Sequence, residues 1–324
     1  MELNRVKEVL PDPSMYHSFR RAGYEWYAAL CDILDNSVDA VRQKWLAMSE
    51  SEKANFVGEI HIIAERTNQK KKDSIDRLYI IDNGCGVEAS RVPDVFSSGK
   101  SQKEGLQNAL GVFGMGLKTA GMSVAEKITF TSRDHHLEEY TTALFSPQRQ
   151  VETGHFDIFY GKTPTKITKL LNNKIGDSSS GTCVALEGLH GNIPRTRGWI
   201  YGSLEDTVAR VYRYILAQTN LGFHVPVKFF IGSGEKVIDI SSTLDPLSHK
   251  DNPELTDWYF GGPGYEFEER EYNGQKVLLR CSHTKLQKKD RGKSHKDNAG
   301  LGAGERGSYK QGTYFIRGGR EISI

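Results

Sequence analysis

LCDILDNSVDA, residues 30–40, interleaves polar and apolar residues at helical spacing. Asp32, Asp35, Asn36 and Asp39 fall at i, i+3, i+4 and i+7, so a helix lines them along one face. Leu30, Ile33, Leu34, Val38 and Val41 lie between them and predict that the helix packs into a core. Three carboxylates so close together repel one another. A half-buried stripe of this kind calls for a cation, and an Asn carbonyl beside carboxylates suits a hard, oxygen-seeking ion such as magnesium. The other reading open at this point is an exposed polar face on an ordinary surface helix.

The surrounding composition sets the frame. The chain has 324 residues, enough for two domains, and 37% of them are hydrophobic, which supplies a core. Lys and Arg number 43 against 41 Asp and Glu, a net charge of +2, so any nucleic-acid contact has to be local. Cys31, Cys85, Cys183 and Cys281 are far apart and form no CxxC pair, which points to neither a zinc site nor a disulfide framework. Reduced thiols fit the cytoplasm, or the nucleus if the source is eukaryotic. The start, MELNRVKEVLPDPS, lacks an apolar stretch of signal-peptide length, and no run of about 18 apolar residues occurs, so no membrane partner is expected.

Outward from the acidic stretch, residues 14–48 read as helix in two pieces, with Ser14 a plausible N-cap. EIHIIA (59–64) and LYIID (78–82) are rich in β-branched residues and predict a hairpin around the charged TNQKKKDSID. Residues 91–110 read as a lid-like loop between two glycine-rich motifs. A helix over 117–125 and strands over 127–132, 139–145 and 182–187 follow, with GDSSSG a break before the last. GNIPRTRG near Gly191 reads as a linker, residues 204–218 as an amphipathic helix, and 225–231 with 236–240 as a hairpin. KLQKKDRGKSHK (285–296) is a basic loop, either solvated or in contact with a phosphate backbone. GTYFIRGGREISI (312–324) reads as strand, turn, strand; a chain that stops there is expected to be cut from something longer.

Three further motifs carry chemistry. In DNGCG (82–86) a carboxylate stands at a strand end before two glycines, Gly84 and Gly86. Such an acid can accept a hydrogen bond from an amino group like that of adenine, and glycine lets a flat ligand approach; an ordinary turn is the alternative. GVFGMGLKTA (111–120) places Gly111, Gly114 and Gly116 ahead of a helix that opens with Leu117 and Lys118. Free N–H groups and a positive dipole there favour phosphate, although Leu117 before Lys118 departs from the Walker loop and the glycine order reverses the dinucleotide motif. A tight structural turn is the competing explanation. Gly181-Thr182, entering the strand CVALEGL, gains meaning only from its place behind the other three.

In that order the motifs resemble the GHKL superfamily of gyrase B, the ninety-kilodalton heat-shock chaperone, sensor histidine kinases and MutL. FSSGKS followed by LGVFGMGLKTA is most similar to the MORC subgroup, and SLEDTVARVYRYIL and GTYFIRGGREISI resemble the helix and the Gly-Arg hairpin of that group's transducer region. The resemblance implies an α+β fold: a two-layer α/β sandwich of the Bergerat type over residues 1–190, then a partial transducer-like α/β domain over 191–324. It implies ATP and magnesium as ligands. By carry-over, Asn36 coordinates the metal, Asp82 recognises the adenine amino group with Thr182 assisting through a water, and Gly84 and Gly86 give the base room. Gly111, Gly114 and Gly116, with Met115 between the last two and Leu117 after them, wrap the phosphates; Lys118 adds positive charge, and Lys100 in the lid contacts the γ-phosphate. Where hydrolysing members carry Glu as the base, this chain has Asp32, one methylene shorter, so slow hydrolysis is expected, with Glu25 the fallback. The family's γ-phosphate-sensing lysine, supplied from beyond the Gly-Arg hairpin, has no convincing match here. A nucleotide-dependent homodimer is implied, with DNA a possible cargo and a further C-terminal region or partner protein expected. A chaperone-like ATPase for protein clients, a binding-only module and a histidine kinase are the rivals; no dimerisation helix with an acceptor His precedes the acidic helix.

Overall fold

The computed structural model describes residues 25–65, 75–97, 116–135, 139–155, 157–176, 179–191, 193, 197–217, 225–233, 236–240, 265–272, 275–282, 315–317 and 320–322. The acidic stretch lies within helix α1, Trp26–Ala47, whose apolar positions Leu30, Ile33, Leu34, Val38 and Val41 are all buried. Met48 turns extended, and Ser49 restarts the chain: its hydroxyl and Glu52 form a reciprocal capping box on the short helix α2, Glu50–Lys53.

Strands β1, Gly58–Glu65, and β2, Arg77–Asp82, pair antiparallel as the two apolar runs predict. Two 3-10 turns, Ala89–Arg91 and Pro93–Phe96, follow the glycine turn. Helix α3, Gly116–Val124, then leads directly into β3, Ala125–Arg133, and on to β4, Thr141–Phe145. Three elements not anticipated from the sequence come next: α4, Pro147–Thr153, the edge strand β5, Phe159–Lys162, and α5, Thr165–Ile175. The central strand β6, Gly181–Leu189, is followed by α6, Arg197–Val211, and α7, Arg213–Leu216. The helix thus begins inside the stretch that reads as a linker, and it breaks at Tyr212, whose backbone (φ −104, ψ 18) leaves the helical basin. Gly198 and Gly202, poor helix formers, hide its first turns from a periodicity reading.

The next hairpin, β7, Val227–Ser233, and β8, Lys236–Asp239, does not form a separate layer. β7 pairs parallel with β1, so one eight-stranded sheet runs β5-β4-β3-β6-β2-β1-β7-β8 and crosses the position near residue 190 where a boundary is expected. Two further hairpins are antiparallel: β9, Tyr265–Tyr272, with β10, Gln275–Ser282, and β11, Phe315–Arg317, with β12, Arg320–Ile322.

The side-chain alternation of β2 explains its uninterrupted apolar run, since both of its faces are covered. Leu78 and Ile80 join Ile60, Ile62, Val184 and Leu186 in the main core under α1, α3 and α6. Tyr79 and Ile81 point the other way and, with Cys183, Ala185 and Tyr140, pack on Leu171, Ile167 and Leu170 of α5. At one end of the sheet a cross-strand ladder sets the register: Arg77 lies 3.1 Å from both Glu65 and Glu187, and Lys127 3.0 Å from Glu187. The same register at the other end of β2 aligns Asp82 with Thr182 of β6, and Thr182 with Ser132 of β3.

Candidate functional site

Asp82 ends β2 with its side chain buried. The Gly84 N–H donates to its Oδ1 at 3.0 Å and the Ser37 hydroxyl of α1 gives it a second hydrogen bond. Burial pushes its carboxyl up to about 7, against the pull of those two donors and of the Lys44 ammonium. In the same row, Thr182 Oγ1 lies 3.1 Å from Ser132 Oγ, which accepts from the Val87 N–H at 2.9 Å and donates to the Gly181 carbonyl at 3.1 Å.

The glycine turn after Asp82 is fastened on every side. Cys85 N–H donates to the Ala40 carbonyl of α1 at 3.0 Å, Ser180 Oγ to the Gly84 carbonyl at 2.7 Å, and Lys44 Nζ to the Asn83 carbonyl at 2.8 Å. Asn83 Oδ1 accepts from the Glu59 N–H at 2.8 Å. Both glycines are needed for packing: a Cβ on Gly84 would meet the Ala40 side chain at 2.6 Å, and one on Gly86, at φ +70, would meet the Arg133 carbonyl at 2.0 Å. The space they leave is filled by helix and strand, and the turn is thereby pressed between α1 and β3.

On α1, Asp35 and Asp39 are buried, Asp32 and Asn36 half-buried. An ordinary solvated helix face is therefore excluded. A guanidinium meets the stripe: Arg320 of β12 lies 2.9 Å from Asp35 Oδ2 and 3.2 Å from Asp32 Oδ1. The Tyr212 hydroxyl lies 2.8 Å from Asp35 Oδ1. Burial raises Asp35 to about 7 despite both partners.

Helix α3 packs against α1 and so joins the same assembly. Gly116 is exposed with open space around its Cα, Leu117 packs on the core, and the Lys118 side chain is buried. Burial lowers the Lys118 ammonium to about 8. Acid helix, strand-end carboxylate, Thr182 row and helix α3 thus form one packed unit.

Comparison with known proteins bears on the segment that carries these elements. Residues 24–182 match the family of histidine kinase-, DNA gyrase B- and HSP90-like ATPases. This segment belongs to the GHKL superfamily. Protein MICRORCHIDIA 5 of Arabidopsis thaliana is 30% identical over 121 residues, 37% of this chain and 15% of that protein. Protein MICRORCHIDIA 4 of the same plant is 30% identical over 122 residues, 37% of this chain and 13% of its own length. A type 2 DNA topoisomerase 6 subunit of Metallosphaera sedula is 34% identical over 95 residues, 29% of this chain and 16% of that protein. The chain therefore spans only a small part of the relatives it matches.

Within the GHKL segment, Asp32, Asn36, Asp82, Gly84, Gly86, Gly116, Leu117, Lys118 and Thr182 all belong to the assembly just described. Lys100, Gly111, Gly114 and Met115 lie outside the described residues, as do the N-terminal helix piece and the basic loop at 285–296. Glu25 is exposed at the N-cap of α1, two turns before Asp32. For magnesium the test is Asn36, whose Nδ2 donates to the Asp32 carbonyl at 3.2 Å and so sets which end of the amide faces the helix backbone. Among the described residues no cluster of three or more His, Cys, Asp or Glu could hold a metal ion. A single amide oxygen fits an ion that takes most of its ligands from phosphate and water.

Ser37, Lys44, Ser132, Tyr212 and Arg320 escape a motif reading. Ser37 alone carried a signal, one residue after Asn36. Lys44 lies on α1 itself, about two turns after Asn36, and Ser132, Tyr212 and Arg320 reach the site from distant strands and helices. Among the described residues no helix is long and apolar enough to cross a membrane.

Proposed function

We propose that this chain is a magnesium-dependent ATP-binding and slowly ATP-hydrolysing module whose nucleotide state gates lid closure and dimerisation. The observation that carries the reading is the packing of α1, which bears Asn36, against both the Asp82 turn of the Asp82–Thr182–Ser132 row and helix α3. Asp82 accepts a hydrogen from the adenine amino group, with Thr182 assisting through a water. The α3 N-terminus offers backbone N–H groups and a positive dipole to the phosphates, and the Lys118 charge adds to them. Asn36 holds magnesium, which when bound neutralises phosphate charge. Asp32, one turn before Asn36, orients and deprotonates the attacking water; the shorter reach of Asp compared with Glu makes the step slow.

The names of the relatives favour a nucleic-acid setting, since one belongs to a DNA topoisomerase. A DNA clamp opened and closed by nucleotide follows, and DNA-stimulated turnover separates it from a chaperone-like ATPase acting on protein clients. Radiolabelled ATP followed to ADP over hours tests the enzyme itself. Asp32→Asn should abolish turnover while leaving ATP binding intact. Unchanged turnover would remove Asp32 from the mechanism, and no turnover by the wild-type chain would leave a binding-only module.

A further inference from the structure

We propose that Arg320 is a positioning residue for Asp32, delivered to the hydrolytic end of the nucleotide site by the C-terminal hairpin. The proposal rests on the ATPase reading above. Two neighbouring residues of β12 act in opposite directions, as successive side chains of a strand do. Glu321, its side chain 1% exposed, fastens the hairpin to α6 and α7: it accepts from Arg210 Nε at 2.9 Å and from Arg213 Nη1. Arg320 faces α1 and spans two carboxylates one turn apart, Nη1 to Asp35 and Nη2 to Asp32.

The two contacts are unequal. Asp35 is the inner one, its side chain 4% exposed, against 28% for Asp32. The Tyr212 hydroxyl, which also lies 2.9 Å from the Cys31 carbonyl, holds Asp35 from below. Where Asp35 is ionised, turning the guanidinium away from it would strip a buried carboxylate of its counter-charge, so Arg320 is held at that end. Its planar fork then presents the second nitrogen to Asp32 in a fixed direction. A short aspartate doing the work of a longer base depends on being aimed, and the chain Tyr212–Asp35–Arg320–Asp32 aims it. Hydrolysis at α1 thereby depends on docking of a hairpin 288 residues further along the chain.

The test compares wild type, Arg320→Gln, Arg320→Lys and Glu321→Gln for ATP turnover, ATP affinity and melting temperature. Arg320→Gln should lower kcat by roughly tenfold to a hundredfold while ATP affinity stays within about twofold. Arg320→Lys should recover part of the rate, because an ammonium is a single point charge without the fork. Glu321→Gln, which loosens the hairpin without touching Asp32, should lower kcat in the same sense. If Arg320→Gln does not fold, the split between kcat and affinity in Arg320→Lys decides. Wild-type kcat in the folded Arg320→Gln protein would overturn the proposal, as would a parallel loss of rate, affinity and melting temperature in both Arg320 variants. A wild-type chain that binds no ATP would instead remove the reading beneath it.

Discussion

Asp35 and Asp82 are two carboxyls that burial lifts from the usual carboxylate range to about 7, and both sit within the candidate site. A carboxyl with a higher pKa in the folded chain than in the unfolded one favours the fold while protonated. Its contribution is complete below the unfolded pKa near 4 and is lost as pH rises through about 7. Denaturant unfolding should therefore show stability increasing from pH 8 to pH 6 by on the order of 2 kcal/mol. Burial of His61, which lowers its pKa, opposes part of that gain. Asp82→Asn should flatten the slope; an unchanged slope would mean that Asp82 is ionised in the folded chain throughout this range. At this scale the sequence told only half the story of the acidic stripe. The spacing of Asp32, Asp35 and Asp39 showed that they share a face and need positive charge, but the arginine that meets two of them comes from the far end of the chain, where no local pattern could place it.

The elements that periodicity reveals are those whose cause is local. Helix α1 declares itself through its apolar stripe, β1 and β2 through runs of β-branched residues, and β6 through the apolar run CVAL. What stays hidden has non-local causes. Helix α5 is short, with Leu171 its one fully buried side chain, and exists to cover the second face of the sheet. Strand β5 is exposed along its length and owes its shape to pairing with β4. The glycine turn mixes both kinds. Its glycines were visible as letters, yet the reason for them is the pressure of α1 and β3 on the backbone. Gly86→Ala should therefore be costly, on the order of 3 kcal/mol, because it combines a left-handed backbone with a clash against the Arg133 carbonyl. Gly154→Ala shares a φ of +70 but meets nothing within 4 Å, so about 1 kcal/mol is expected. Thermal melts of the two variants check the contrast, and equal costs would contradict the packing role assigned to Gly86.

For the molecule as a whole, one sheet and the helices α1 and α3 packed with it carry the pieces of the site, and the C-terminal hairpin meets the acidic face of α1. The α+β sandwich was legible from the order of four weak motifs. The continuation of the sheet through β7 and β8 was not, because a parallel partner for β1 is chosen by packing under α6 and leaves no trace in local sequence. Nucleotide-gated dimerisation belongs to this scale, and light scattering with a non-hydrolysable analogue reads it directly. Beneath that switch lies the claim that a magnesium triphosphate sits between Asn36 and Gly116 with its purine against Asp82. Titration calorimetry of the wild-type chain and Asp82→Asn with magnesium ATP tests this most directly. The account predicts saturable binding to the wild type, little response to guanine nucleotide, and loss of ATP binding in a folded Asp82→Asn chain; no heat from the wild type, or equal affinity in the variant, would contradict it.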